Sequence, residues 1–101
     1  ASVSHLPHLL AYASIQAIAD SSTPEALSHS GAGLKDFSRI ASSSPEMWAD
    51  IFLENQENLL SRMNTFKDVV AKLEDAIKRN DKEKLIELLA QAKTERDRWM
   101  T

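Results

Sequence analysis

Along this chain, stretches in which apolar residues return every three or four positions alternate with short stretches of Ser, Gly, Asn and Asp. From Leu6 to Ala19, the residues Leu6, Leu9, Leu10, Ala13, Ala17 and Ile18 keep helical spacing, and the pattern fades at Asp20-Ser21-Ser22-Thr23-Pro24. The spacing predicts a first helix over about residues 3–20. Its alanines, Ala11, Ala13, Ala17 and Ala19, would let a second helix approach closely, which predicts a buried element at the centre of a bundle. Pro7 fits such a helix only if it starts near Ser4 or kinks there, because proline lacks the amide proton that an interior turn needs.

Residues 21–33 read as a loop that holds both glycines of the protein, Gly31 and Gly33. A short amphipathic segment, Leu34 to Ala41, follows, and then Ser42-Ser43-Ser44 before Pro45. Ser44 is suited to an N-cap, Pro45 to the first helical position and Glu46 to the first turn. From Pro45 the helical pattern runs to Arg79, with a break near Glu54-Asn55 where Asn55 would cap a second helix. In that second helix Leu59, Met63, Phe66, Val70, Leu73 and Ile77 step by alternating fours and threes, an a/d stripe. Asn80-Asp81 ends it, Asn80 by accepting a left-handed conformation and Asp81 by capping the next helix. There Leu85, Leu88, Leu89, Ala92 and Trp99 form a facing stripe. The expected fold is all-α: a bundle of about five helices with a long C-terminal antiparallel hairpin.

Composition agrees, since helix formers outnumber β-branched and aromatic residues across the 101 positions. A net charge of −3, without a dense basic run, argues against nucleic acid as a partner. No apolar run approaches the roughly 20 residues that span a bilayer, so the expectation is a soluble, cytoplasmic protein without a membrane partner. The absence of cysteine removes disulfides and thiol ligands. The hairpin carries more apolar surface than so short a chain covers, which predicts a second copy and an intertwined homodimer. The charged run from Glu74 to Lys84 reads as a solvated face. Starting at Ala1 without methionine or leader, the sequence reads as a piece of a longer chain.

Two constellations carry candidate chemistry. His5 and His8 stand three apart, so both rings fall on one side of a helical turn, with Tyr12 one turn further. They read as capping or core-edge residues, as a metal site completed from elsewhere with His29 as the remaining histidine, or as part of a polar substrate site. Gly31 and Gly33 precede a short helix, where their amides would face an anion, and Arg39 adds a bidentate donor for a carboxylate. Alternatively the glycines only shape a turn and Asp36 pairs with Arg39 across an exposed helical turn, worth about 0.3–0.5 kcal/mol. Trp48 is either core or an interface anchor, with core the default for a large aromatic. No P-loop, Gly-x-Gly-x-x-Gly, Gly-x-Ser-x-Gly or His-Glu-x-x-His is present, so the chain shows no self-contained catalytic apparatus.

Taken in order, Ser4-His5-Leu6-Pro7-His8, then Gly31-Ala32-Gly33-Leu34-Lys35-Asp36-Phe37-Ser38-Arg39-Ile40-Ala41, then Ser44-Pro45-Glu46-Met47-Trp48 with Asp50-Ile51-Phe52 resemble the C-terminal domain of the prephenate and cyclohexadienyl dehydrogenases. The resemblance rests on motifs over roughly residues 3–60 and on helical layout beyond. It implies a single helical domain over residues 1–101 that dimerises and completes a substrate pocket, the N-terminal Rossmann domain with NAD or NADP and the catalytic histidine lying outside this chain. The implied reaction is oxidative decarboxylation of prephenate to 4-hydroxyphenylpyruvate in tyrosine biosynthesis, with arogenate as the related substrate. Carried over residue by residue, His8 would line the pocket and Arg39 would bind a substrate carboxylate. His5, Gly31, Gly33, Asp36 and Trp48 would support the pocket or its dimer-related edge. Leu34 stands where the family often has an aromatic, and Gly-Ala-Gly replaces a purer glycine run. With neither cofactor fingerprint nor general base, the fragment alone is expected to be inactive, with no cofactor, catalytic or metal residue of its own. The rival expectation is a non-enzymatic helical protein-protein interaction module whose 59–77 stripe docks a partner helix.

Overall fold

A computed structural model describes residues 5–21, 23, 25 and 31–100. In order along the chain stand α1 (His5–Ser21), α2 (Ala32–Ser38), a 3-10 turn (Arg39–Ser42), α3 (Pro45–Glu54), α4 (Gln56–Lys78) and α5 (Lys82–Trp99). Among the described residues there is no strand, and the all-α expectation stands. The chain divides into two compact units, Ala1–Met63 and Asn64–Thr101, with the boundary inside α4.

In the first unit α1 packs on α2 and on the 3-10 turn, and Ala11 and Leu59 are its buried apolar residues among those described. The expected start of α1 near Ser4 falls outside the described residues. Pro7 lies within α1 as it is described from His5 onward. The expectation that α1 is buried is corrected: only Ala11 is, and Ala13, Ala17 and Ala19 are exposed. The helix is apolar on several sides, and one short unit can cover only one of them.

Local chemistry starts α3 where expected. Ser44 accepts a hydrogen bond from the Met47 amide at 3.3 Å and Pro45 occupies the first turn. The break at Asn55 is also found, but its side chain points the other way from the expectation. Asn55 donates Nδ2–H to the Ile51 carbonyl at 2.9 Å and so closes α3, while its own carbonyl receives the Leu59 amide of α4. Orphan carbonyls at a helix end accept such a donor as readily as orphan amides accept a cap. The loop expected over residues 21–33 ends earlier, because Gly33 already lies inside α2.

The second unit holds α4 from Asn64 onward together with α5. Asn80 takes φ 55°, its amide bonds the Ile77 carbonyl and the Asp81 amide bonds the Ala76 carbonyl. That pair of bonds is a Schellman stop. Asp81 then accepts the Lys84 amide at 3.0 Å and begins α5. Among the described residues of this unit only Ala76 is buried, with Leu73, Leu85 and Leu88 half-buried. Phe66, Val69, Val70, Ile77, Ile86 and Leu89 stand exposed. The predicted stripes are therefore covered only in part: Leu59 is buried and Met63 and Leu73 half-buried, whereas Phe66, Val70 and Ile77 face outward, as do Leu89, Ala92 and Trp99 of the facing stripe. No helix among the described residues is long and apolar enough to cross a membrane.

Candidate functional site

Two helices of the first unit bring their aromatic and imidazole side chains together. On α1, His5, His8 and Tyr12 share a side because they recur at three and four residues. On α3, the Ser44 cap and Pro45 start the helix just ahead of Trp48, and Phe52 follows one turn later. The His8 ring stacks on the Trp48 indole with centroids 3.8 Å apart and planes 15° from parallel. His5 meets the same indole edge-on, at 6.1 Å and 79°. Trp48 in turn lies 5.7 Å from Phe52. Each such ring pair contributes about 0.5–1.5 kcal/mol beyond its buried area.

The stack fixes the plane of the His8 ring against the indole. His5 Nδ1 is buried without a hydrogen-bond partner among the described atoms. Beside the stack, Leu9, Tyr12, Pro45, Ala49 and Phe52 line an apolar pocket of about 190 Å³. The Tyr12 hydroxyl donates to the Ser43 carbonyl at 2.8 Å, tying α1 to the end of the 3-10 turn.

Of the residues singled out in the sequence, His5, His8 and Trp48 are thus brought into one cluster. Trp48 is half-buried against the histidines rather than deep core. Arg39 does not join these ring contacts: it opens the 3-10 turn with an exposed side chain, its amide donating to the Asp36 and Phe37 carbonyls and its carbonyl accepting from Ser42 Oγ. The alternative Asp36–Arg39 ion pair is not formed, since the ion pairs among the described residues all lie between Glu74 and Arg98. Gly31 precedes α2 at φ −74°, neither glycine has a positive φ, and a Cβ on either would meet nothing within 4 Å. Packing among the described residues does not account for glycine at these two positions. His29 lies outside the described residues, and among those described no three His, Asp or Glu side chains gather as a metal ion requires.

Sequence reasoning missed Phe52 and the Ser43 carbonyl. Phe52 was legible as the residue one turn beyond Trp48. The Ser43 carbonyl left no mark, because a backbone acceptor has no residue type to reveal it.

Comparison with known proteins supplies a setting for this cluster. Residues 1–91 match the family model described as prephenate dehydrogenase, dimerization domain. The prephenate dehydrogenase of Bacillus subtilis (strain 168) is 33% identical over 97 residues, covering 94% of this chain and 26% of that protein. The cyclohexadienyl dehydrogenase of Zymomonas mobilis is 38% identical over 88 residues, covering 83% of this chain and 30% of that protein. The chain thus spans between a quarter and a third of the length of the curated relatives it matches.

Proposed function

This chain belongs to the family of prephenate dehydrogenase dimerization domains, and from that premise we propose that it is the dimerising and substrate-site domain of an NAD- or NADP-dependent dehydrogenase. The reaction is the oxidative decarboxylation of prephenate, or of arogenate, on the way to tyrosine, in the cytoplasm. The family match over most of the chain carries the reading. The described residues do not fit a dinucleotide site: both glycines lie at the start of a seven-residue helix, and the sequence holds no Gly-x-Gly-x-x-Gly fingerprint. The cofactor is bound by the part of the enzyme beyond this chain, and the fragment alone is inactive.

What this chain contributes is binding and orientation. His8, held in plane by Trp48, hydrogen bonds the substrate, and His5 and Phe52 keep the indole in place. Arg39 engages a substrate carboxylate through its guanidinium, whose fork of donors matches a carboxylate. Asp36, Gly31 and Gly33 form the edge of this site, where a Cβ on either glycine would meet nothing within 4 Å among the described residues, which leaves room for a ligand or a second copy. The exposed apolar residues of the hairpin, Phe66, Val70 and Ile77 among them, are the surface a homodimer covers. An interaction module without enzymatic activity would share that surface, and the names of both relatives favour the dehydrogenase.

Steady-state kinetics of the full-length enzyme test the site. Arg39→Ala raises KM for prephenate by the equivalent of about 1.5–3 kcal/mol and leaves cofactor affinity nearly unchanged. Unaltered kinetics remove Arg39 from the site.

A further inference from the structure

We propose that the Tyr12 hydroxyl is a positioning group that holds the Arg39 turn against the helix carrying His8; the inference rests on the reading that Arg39 binds the substrate. Tyr12 follows His8 by one turn on α1, and its part-buried hydrogen bond to the Ser43 carbonyl, 2.8 Å, joins residues 31 positions apart. The bonds within and beside the turn are short in range. Ser42 Oγ donates to the Arg39 carbonyl, Ser43 Oγ to the Ile40 carbonyl, and the Ser43 amide to that same carbonyl. These local bonds make Arg39–Ser43 one small unit, so a tie at Ser43 places Arg39. A four-residue 3-10 turn has poorer hydrogen-bond geometry than an α-helix and gains from such an external tie.

The consequence is functional because a bidentate contact tolerates little displacement, and a shift of about 1 Å in a binding group can cost as much as a hundredfold. The tyrosine ring is half-buried and borders the apolar pocket that it lines with Leu9, Pro45, Ala49 and Phe52. Tyr12→Phe keeps that packing and deletes only the oxygen.

The experiment uses the full-length enzyme with prephenate, comparing Tyr12→Phe, Arg39→Ala and the double variant, together with amide hydrogen exchange of the turn. Tyr12→Phe is expected to raise KM about three- to tenfold with kcat changed less than about twofold, to add almost nothing to Arg39→Ala, and to speed exchange at Ile40–Ser43. Equal effects of Tyr12→Phe in both backgrounds overturn the proposal, as does unchanged exchange at the turn. If exchange rises but Arg39→Ala leaves KM unaltered, the reading of Arg39 is what has failed, and the proposal falls with it.

Discussion

The two units of the chain are held together by different kinds of interaction. In Ala1–Met63, contacts between elements distant in sequence stand beside the local bonds: His5 and His8 of α1 meet Trp48 of α3, and Tyr12 bonds the Ser43 carbonyl. In Asn64–Thr101, the recorded bonds are local. Its ion pairs, such as Lys78–Glu74 and Arg79–Asp75, join residues within one helix, and its caps act within a single turn. The first unit sets a cluster of His5, His8 and Trp48 beside an apolar pocket; the second displays an apolar face and carries its charges on solvent. Local bonds suffice to shape a helix, but only packing between elements places two functional groups side by side. The hairpin leaves Phe66, Val70 and Ile77 exposed in the single chain.

The comparison breaks first at that face. Phe66→Asp, at a position 38% exposed in a single copy, buries an unpaired charge if the face lies in a dimer and weakens association by about 3–5 kcal/mol, measurable by analytical ultracentrifugation. A monomer–dimer equilibrium that ignores the substitution places the interface elsewhere. Trp48→Ala removes three ring contacts from the first unit and costs about 2–3 kcal/mol in chemical denaturation, with the loss of the His8 stack seen as a change in substrate KM. Ser44→Ala and Asp81→Ala each delete one N-cap hydrogen bond, at about 1 kcal/mol, and since these caps are equally local the two units should respond alike. Smallest is Arg79→Ala: the Arg79–Asp75 pair has side chains 73% and 62% exposed, and its loss changes stability by less than about 0.5 kcal/mol, an effect that added salt reduces further.

Where a feature depended on neighbours within a turn, it was legible before the structure. Ser44, Pro45, Asn80 and Asp81 act at the helix ends to which their side chains suit them, and the break at Asn55 falls where expected. Asn55 itself shows the limit, because an amide side chain at a junction of two helices can serve either end, and only the geometry of the junction selects the Ile51 carbonyl. The candidate site divides in the same way. That His5 and His8 share a side followed from their spacing; that both face Trp48 did not, since some forty residues separate them.

By itself, then, the sequence determined the all-α class, the order and most boundaries of the helices, and, through three ordered motifs, the family. Those properties are written in residue type and short-range periodicity, which a linear chain displays directly. The tertiary structure alone decided that His8 is stacked on the indole, that Arg39 sits on a turn tied to α1 through Tyr12, and that Phe66, Val70 and Ile77 remain exposed. Each of these depends on which surfaces come together and on how much protein is present to cover them, and neither quantity is carried by any single stretch of chain.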